Sequence, residues 1–111
     1  MKKITLLIFL LVSALGFSQT PVTFKVDMTN YTGLTATDVV YVSGTFNGWS
    51  ANANPLTREG TTNIWSAVLP IPPGNIEYKF QINSWASQEN LISGTSCTLT
   101  TSGFTNRFLV V

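Results

Sequence analysis

Ile76-Glu77-Tyr78-Lys79-Phe80-Gln81-Ile82 is the stretch that decides the fold class. Successive side chains of a strand point to opposite faces, so Ile76, Tyr78, Phe80 and Ile82 share an inward face while Glu77, Lys79 and Gln81 face out. Pro73-Gly74 reverses the chain just before it. Upstream, Trp65, Ala67, Leu69 and Ile71 line one side of another strand, whose end Pro70 and Pro72 confine to a sheet edge or a terminus because proline cannot donate to a ladder. Glu59-Gly60-Thr61-Thr62-Asn63 reads as a turn. Asp38 to Phe46 is rich in Val, Tyr and Thr, with Val40, Val42, Gly44 and Phe46 on one side. Asn47-Gly48 is a turn signal, since both residues tolerate positive φ, and Asn52, Asn54 and Pro55 prolong it into a loop carrying Trp49. In Thr23 to Met28, Phe24, Val26 and Met28 oppose Lys25 and Asp27. Past the opening stretch, a polar loop from Asn83 to Gly94 leads to a Thr-rich strand around Ser96 to Thr101, a turn at Ser102-Gly103 and a last strand over Arg107 to Val111. No segment beyond residue 18 keeps helical spacing. The expected fold is all-β, an immunoglobulin-like antiparallel β-sandwich of six or so short strands.

The first residues read as a secretory signal over residues 1–18: Lys2 and Lys3 give a basic start, Ile4 to Phe17 an apolar run, and Ala14 to Ser18 small residues at a plausible cut. A membrane anchor is the weaker reading, because the run falls short of the ~20 residues a bilayer crossing needs. The absence of a cysteine near the cut excludes a lipid-modified terminus. The mature chain, 19–111, is then expected to be exported (extracellular, periplasmic or at the cell surface), with no membrane contact after cleavage, and to match one sandwich of ~100 residues.

Without the signal, Lys25, Arg58, Lys79 and Arg107 stand against Asp27, Asp38, Glu59, Glu77 and Glu89, a net charge of 4 − 5 = −1. That balance offers no basic footprint for a nucleic acid. Histidine is absent, which removes Ser-His-Asp and Cys-His arrangements and most zinc sites. No phosphate loop, calcium loop or cofactor motif appears. A glycosidase pair among five carboxylates is permitted by count alone. Asp27 and Glu77 fall on outward strand positions, Asp38 and Glu59 flank turns, and Glu89 lies near Trp85, so each reads as solvated surface charge. Cys97, the single cysteine, forms no internal disulfide and reads as a small buried apolar residue. A reactive thiol or a bridge between chains are its alternatives, with no basic neighbour in sequence to support either.

Val42-Ser43-Gly44-Thr45-Phe46-Asn47-Gly48-Trp49, Pro55-Leu56-Thr57, Trp65, Pro73-Gly74 and Tyr78-Lys79-Phe80 form an ordered series over half the mature chain. This series resembles the glycogen-binding domain of the AMP-activated protein kinase beta subunit and the related carbohydrate-binding module family 48, sandwiches of the immunoglobulin-like E-set type. The resemblance implies a non-catalytic module that binds a polysaccharide, an α-glucan of the starch or glycogen type, with no cofactor. It places the family's stacking tryptophans on Trp49 and Trp85, its lysine on Lys79 and its asparagine on Asn106. Ala86 to Ser96 departs from the family pattern, and Phe104 stands where the family has Thr.

The residues support a sugar site on their own chemistry. A pyranose presents a face of C–H groups and a rim of hydroxyls, which an aromatic plane with a few amide or ammonium groups complements. Two rings at roughly 1 to 2 kcal/mol each suggest a Kd between about 10 μM and 1 mM. Against this, Trp49 would equally fold back to seal the sandwich end, Lys79 reads as an ordinary outward lysine, and Trp65 and Phe104 read as core, Phe104 with a third apolar platform as its alternative. Two other functions fit the same pattern. One is a protein-interaction or structural module whose loop aromatics seat a partner; the other is an accessory domain of a glycan-active enzyme reduced to its scaffold.

Overall fold

The computed structural model describes residues 18–111, so the expected signal lies, apart from Ser18, outside it. Eight strands follow in order: β1 (Thr20–Asp27), β2 (Val40–Gly44), β3 (Thr57–Arg58), β4 (Ile64–Ile71), β5 (Asn75–Ile82), β6 (Ser87–Gln88), β7 (Thr98–Thr101) and β8 (Phe104–Val110). Among the described residues the only helical element is a 3₁₀ turn at Thr45–Asn47. A three-stranded sheet, β1-β4-β3, packs on a five-stranded one, β2-β5-β8-β7 with β6 also on β5, and every pairing is antiparallel. The chain is an all-β, immunoglobulin-like sandwich.

Its core follows from the alternation. Phe24 from β1, Val40 and Val42 from β2, Ile71 from β4 and Ile76, Phe80 and Ile82 from β5 are buried together with Leu56. Tyr78 meets Phe24 and Phe80 edge-on at centroid distances of 5.1 and 5.9 Å, the geometry that ring quadrupoles favour. Trp65 packs against this cluster as expected, half-buried. Pro70 pairs opposite Pro21, beyond the reach of β3, which pairs only with Ser66 and Trp65. Neither proline therefore removes a ladder bond that a third strand needs.

Four expectations are corrected. β2 stops at Gly44 rather than Phe46, because the chain enters the 3₁₀ turn there. At the Asn47-Gly48 turn the left-handed residues are Gly48 (φ 63°) and Trp49 (φ 58°) rather than Asn47 and Gly48. Cys97 is exposed, since it sits in the turn ahead of β7 rather than on an inward strand position. Glu89 is not a solvated charge. β8 leaves β5 after Tyr78 and β6 joins only at Gln81, which strands the Phe80 amide between them. Glu89 fills that gap: its Oε1 accepts from Phe80 N at 3.1 Å and its own N donates to Phe80 O at 3.2 Å. Arg107 on β8 grips the same carboxylate from Nε (2.8 Å) and Nη2 (2.9 Å) and lies 5.5 Å from the Phe80 ring centroid. The carboxylate's hydrogen bonds push the Arg107 guanidinium further above its ordinary range.

Candidate functional site

The site forms on the outer face of the five-stranded sheet, between two loops that return over it. The first leaves β2. A Cβ on Gly44 would fall 2.5 Å from Glu77 O and 2.9 Å from Tyr78 Cβ, so only glycine lets β2 lie this close to β5 as the chain turns away. Asn47 then organises the turn: its Oδ1 accepts from Gly44 N (2.9 Å), and its Nδ2 donates to Val42 O (3.2 Å) and Asn54 Oδ1 (2.7 Å). Trp49 N donates to Gly44 O at 2.9 Å, which fixes the tryptophan at the loop's start.

The second loop joins β5 to β6. Asn83, Ser84 and Trp85 are consecutive left-handed residues with φ of 52°, 56° and 70°. Asn83 is pinned to the residues that lead into the neighbouring β2: Val39 N donates to its Oδ1 (3.0 Å), and its Nδ2 donates to Asp38 Oδ1 (2.7 Å). The Thr35 amide, and after it the Asn83 side chain, hold the Asp38 carboxyl below its usual range. Both candidate tryptophans thus occupy a conformation that bulky residues rarely adopt, at a cost of order 1–3 kcal/mol each, which persists only where surroundings over-determine it.

Gln81 does much of that determining. Its side chain is 1% exposed. Nε2 donates to Ala51 O (2.7 Å) and Ser43 Oγ (3.3 Å), while Oε1 accepts from Trp85 N (2.8 Å). Ser43 Oγ in turn donates to Ser50 O at 2.6 Å. One buried amide therefore ties the segment after Trp49 to the backbone of Trp85.

Between the loops lies a cleft of about 510 Å³, within the range of small-ligand sites. The structure brings all four sequence-derived candidates to it: Trp49, Lys79, Trp85 and Asn106. The two indoles are half-buried, so neither has folded away into the sandwich. Lys79 and Asn106, at 8% and 7% exposure, form its floor. The outward lysine is therefore not a solvated one. The loops roof the face that alternation alone assigns to water. Lys79 Nζ stands 3.4 Å from Gln88 Oε1, and Asn106 Nδ2 donates to Glu77 Oε1 at 3.3 Å.

Glu77, Gln88, Thr45 and Thr101 also line the cleft and escaped the sequence reading, and Phe104, read as core with an apolar platform as its alternative, lines it as well. For Glu77 and Phe104 a signal was present: each lies two residues from a candidate, Lys79 or Asn106, and so on the same face. Phe104 is 68% exposed, not core, because it points to the outer side of β8. Among the described residues no group of three His, Cys, Asp or Glu side chains is placed to hold a metal, and no helix is long and apolar enough to cross a membrane. The face as built can stack flat apolar surface against aromatic rings and hydrogen-bond hydroxyls from below.

Comparison with known proteins finds relatives of this sequence. Over 88 residues, 74% of its length, the chain is 40% identical to an alpha-amylase of Niallia circulans, covering 7% of that protein. Over 45 residues it is 42% identical to 1,4-alpha-glucan branching enzymes of Corynebacterium jeikeium (strain K411) and Butyrivibrio fibrisolvens, covering 6% and 7% of them. The chain spans less than a tenth of the length of these relatives. Residues 15–94 match the model of carbohydrate-binding module 48, the isoamylase N-terminal domain, and with 80 of 111 residues inside that match the chain belongs to the carbohydrate-binding module 48 family.

Proposed function

We propose that this module holds an α-glucan of the starch or glycogen type in the cleft and does not cleave it. The observation that carries the proposal is the convergence of Trp49 and Trp85, from separate loops, on one cleft floored by Lys79 and Asn106. An indole on each loop offers a plane for a sugar's C–H face, while ammonium and amide groups meet its hydroxyls. The relatives' names, an amylase and branching enzymes acting on 1,4-alpha-glucan, support the same class of sugar. Binding without hydrolysis follows from the carboxylates. Glycoside hydrolysis uses two facing ones, and Glu77 alone lines the cleft. Glu89 is held by Arg107, Glu59 pairs with Lys25, and Asp27 and Asp38 serve local turns.

Electrophoresis in a native gel containing amylose tests this reading. The wild type is retarded; Trp49→Ala and Trp85→Ala each weaken binding about 6- to 30-fold, the loss of roughly 1–2 kcal/mol of covered apolar area, and run close to their sugar-free mobility while still folded. Unretarded wild type across several glucans contradicts it and leaves a protein partner as the occupant. Export remains part of the proposal. N-terminal sequencing of the protein recovered outside the cytoplasm should begin at Gln19, and recovery only of intact chain inside the cell would refute that part.

A further inference from the structure

The apolar surface of the cleft does not end at the two tryptophans. Phe104 lines it and is 68% exposed, the most exposed aromatic among the described residues. It opens β8 immediately after Ser102 and Gly103, whose φ values of 51° and 82° mark the tight two-residue hairpin turn that fits strand twist. β7 and β8 pair in full register, Thr101 with Phe104 and Leu99 with Asn106. Phe104 and Asn106 therefore share the outer face, and the cross-strand neighbour Leu99, 42% exposed, continues it toward the sheet edge. Scattered exposed apolar residues are ordinary, but an aromatic ring held by a rigid hairpin on the wall of a polar-floored cleft is a presented surface.

Its placement adds length to the site. Trp49 follows β2 and Phe104 belongs to β8, two strands away across β5, a span of about 10 Å at the usual spacing of neighbouring strands. That exceeds the width of one pyranose ring. Phe104 also falls outside residues 15–94, the part of the chain matched by the family model.

We infer that Phe104 is a third stacking platform, which extends the cleft toward the β7–β8 hairpin and selects long α-glucan chains over short ones. The inference rests on the proposed glucan binding and names the chain length that the same site takes. Phe104 contacts only the distal sugars of a long oligosaccharide, so its removal acts on long ligands and spares short ones.

Isothermal titration of wild type, Phe104→Ala, Phe104→Thr and Phe104→Trp with maltotriose and maltoheptaose tests this. Wild type binds maltoheptaose the more tightly. Phe104→Ala and Phe104→Thr lose about tenfold in maltoheptaose affinity, the scale of one stacked ring, with maltotriose unchanged within twofold. Phe104→Trp keeps the preference. All variants should melt with the wild type, since the ring is exposed. Equal maltoheptaose affinity in wild type and Phe104→Ala overturns the inference while leaving glucan binding in place, as does an equal loss for both sugars. A wild type that binds neither sugar removes the proposed function and the inference together.

Discussion

The two sheets turn very different outer faces away from a common core. On the three-stranded sheet, Thr23, Lys25 and Asp27 of β1 and Val68 and Pro70 of β4 are exposed, and the Lys25–Glu59 pair at 3.2 Å is open to water on both sides. On the five-stranded sheet, Ser43, Lys79, Gln81 and Asn106 occupy equivalent outward positions and are buried to between 0% and 8% exposure. Burying polar groups costs free energy unless each finds a partner. For Ser43 and Gln81 the partners belong to the loops carrying Trp49 and Trp85, while Lys79 and Asn106 bond Gln88 and Glu77. The first face is ordinary solvated surface. The second is a polar platform whose hydrogen bonds hold two strained aromatic loops in place.

Substitutions can break that contrast. Gln81→Leu should be the most damaging, because it leaves the Trp85 amide and the Ala51 carbonyl without their buried partner. At roughly 1–3 kcal/mol for each group, a loss of about 3 kcal/mol is expected, or roughly 12–24 °C in Tm. Ser43→Ala removes one hydroxyl that bonds Ser50 O and Gln81 and should cost about 1 kcal/mol. Lys25→Ala breaks only the exposed pair with Glu59 and should stay within about 0.5 kcal/mol. Thermal melts of the three variants check the order. If Lys25→Ala proves as costly as Gln81→Leu, the two faces are not different in kind.

The contrast also marks how far the sequence could be read. Alternation in Ile76 to Ile82 is a local property, so the inward set Ile76, Phe80 and Ile82 was legible and is buried. Period two says which residues leave the core; it does not say whether a distant loop returns to cover them. For that reason Lys79 and Gln81 read as solvated, and Gln81 escaped notice as the tie between loops. Glu89 read as free charge because its partners, Phe80 N and Arg107, lie 9 and 18 positions away. Trp49, Lys79, Trp85 and Asn106 came from the motif resemblance. For Phe104 the one local sign of an exposed ring was its place two residues from Asn106, on the same face of the strand.

The central claim is that Trp49 and Trp85 meet the sugar while Trp65 stays with the core. The chain has three tryptophans, and Trp65 Nε1 is buried with no hydrogen-bond partner, so three indole N–H signals of a ¹⁵N-labelled sample report the claim directly. Titration with maltoheptaose should move the Trp49 and Trp85 signals along saturating curves and leave Trp65 in place. A shift of Trp65 with the other two stationary, or a response from only one of Trp49 and Trp85, would contradict a single cleft shared by both loops.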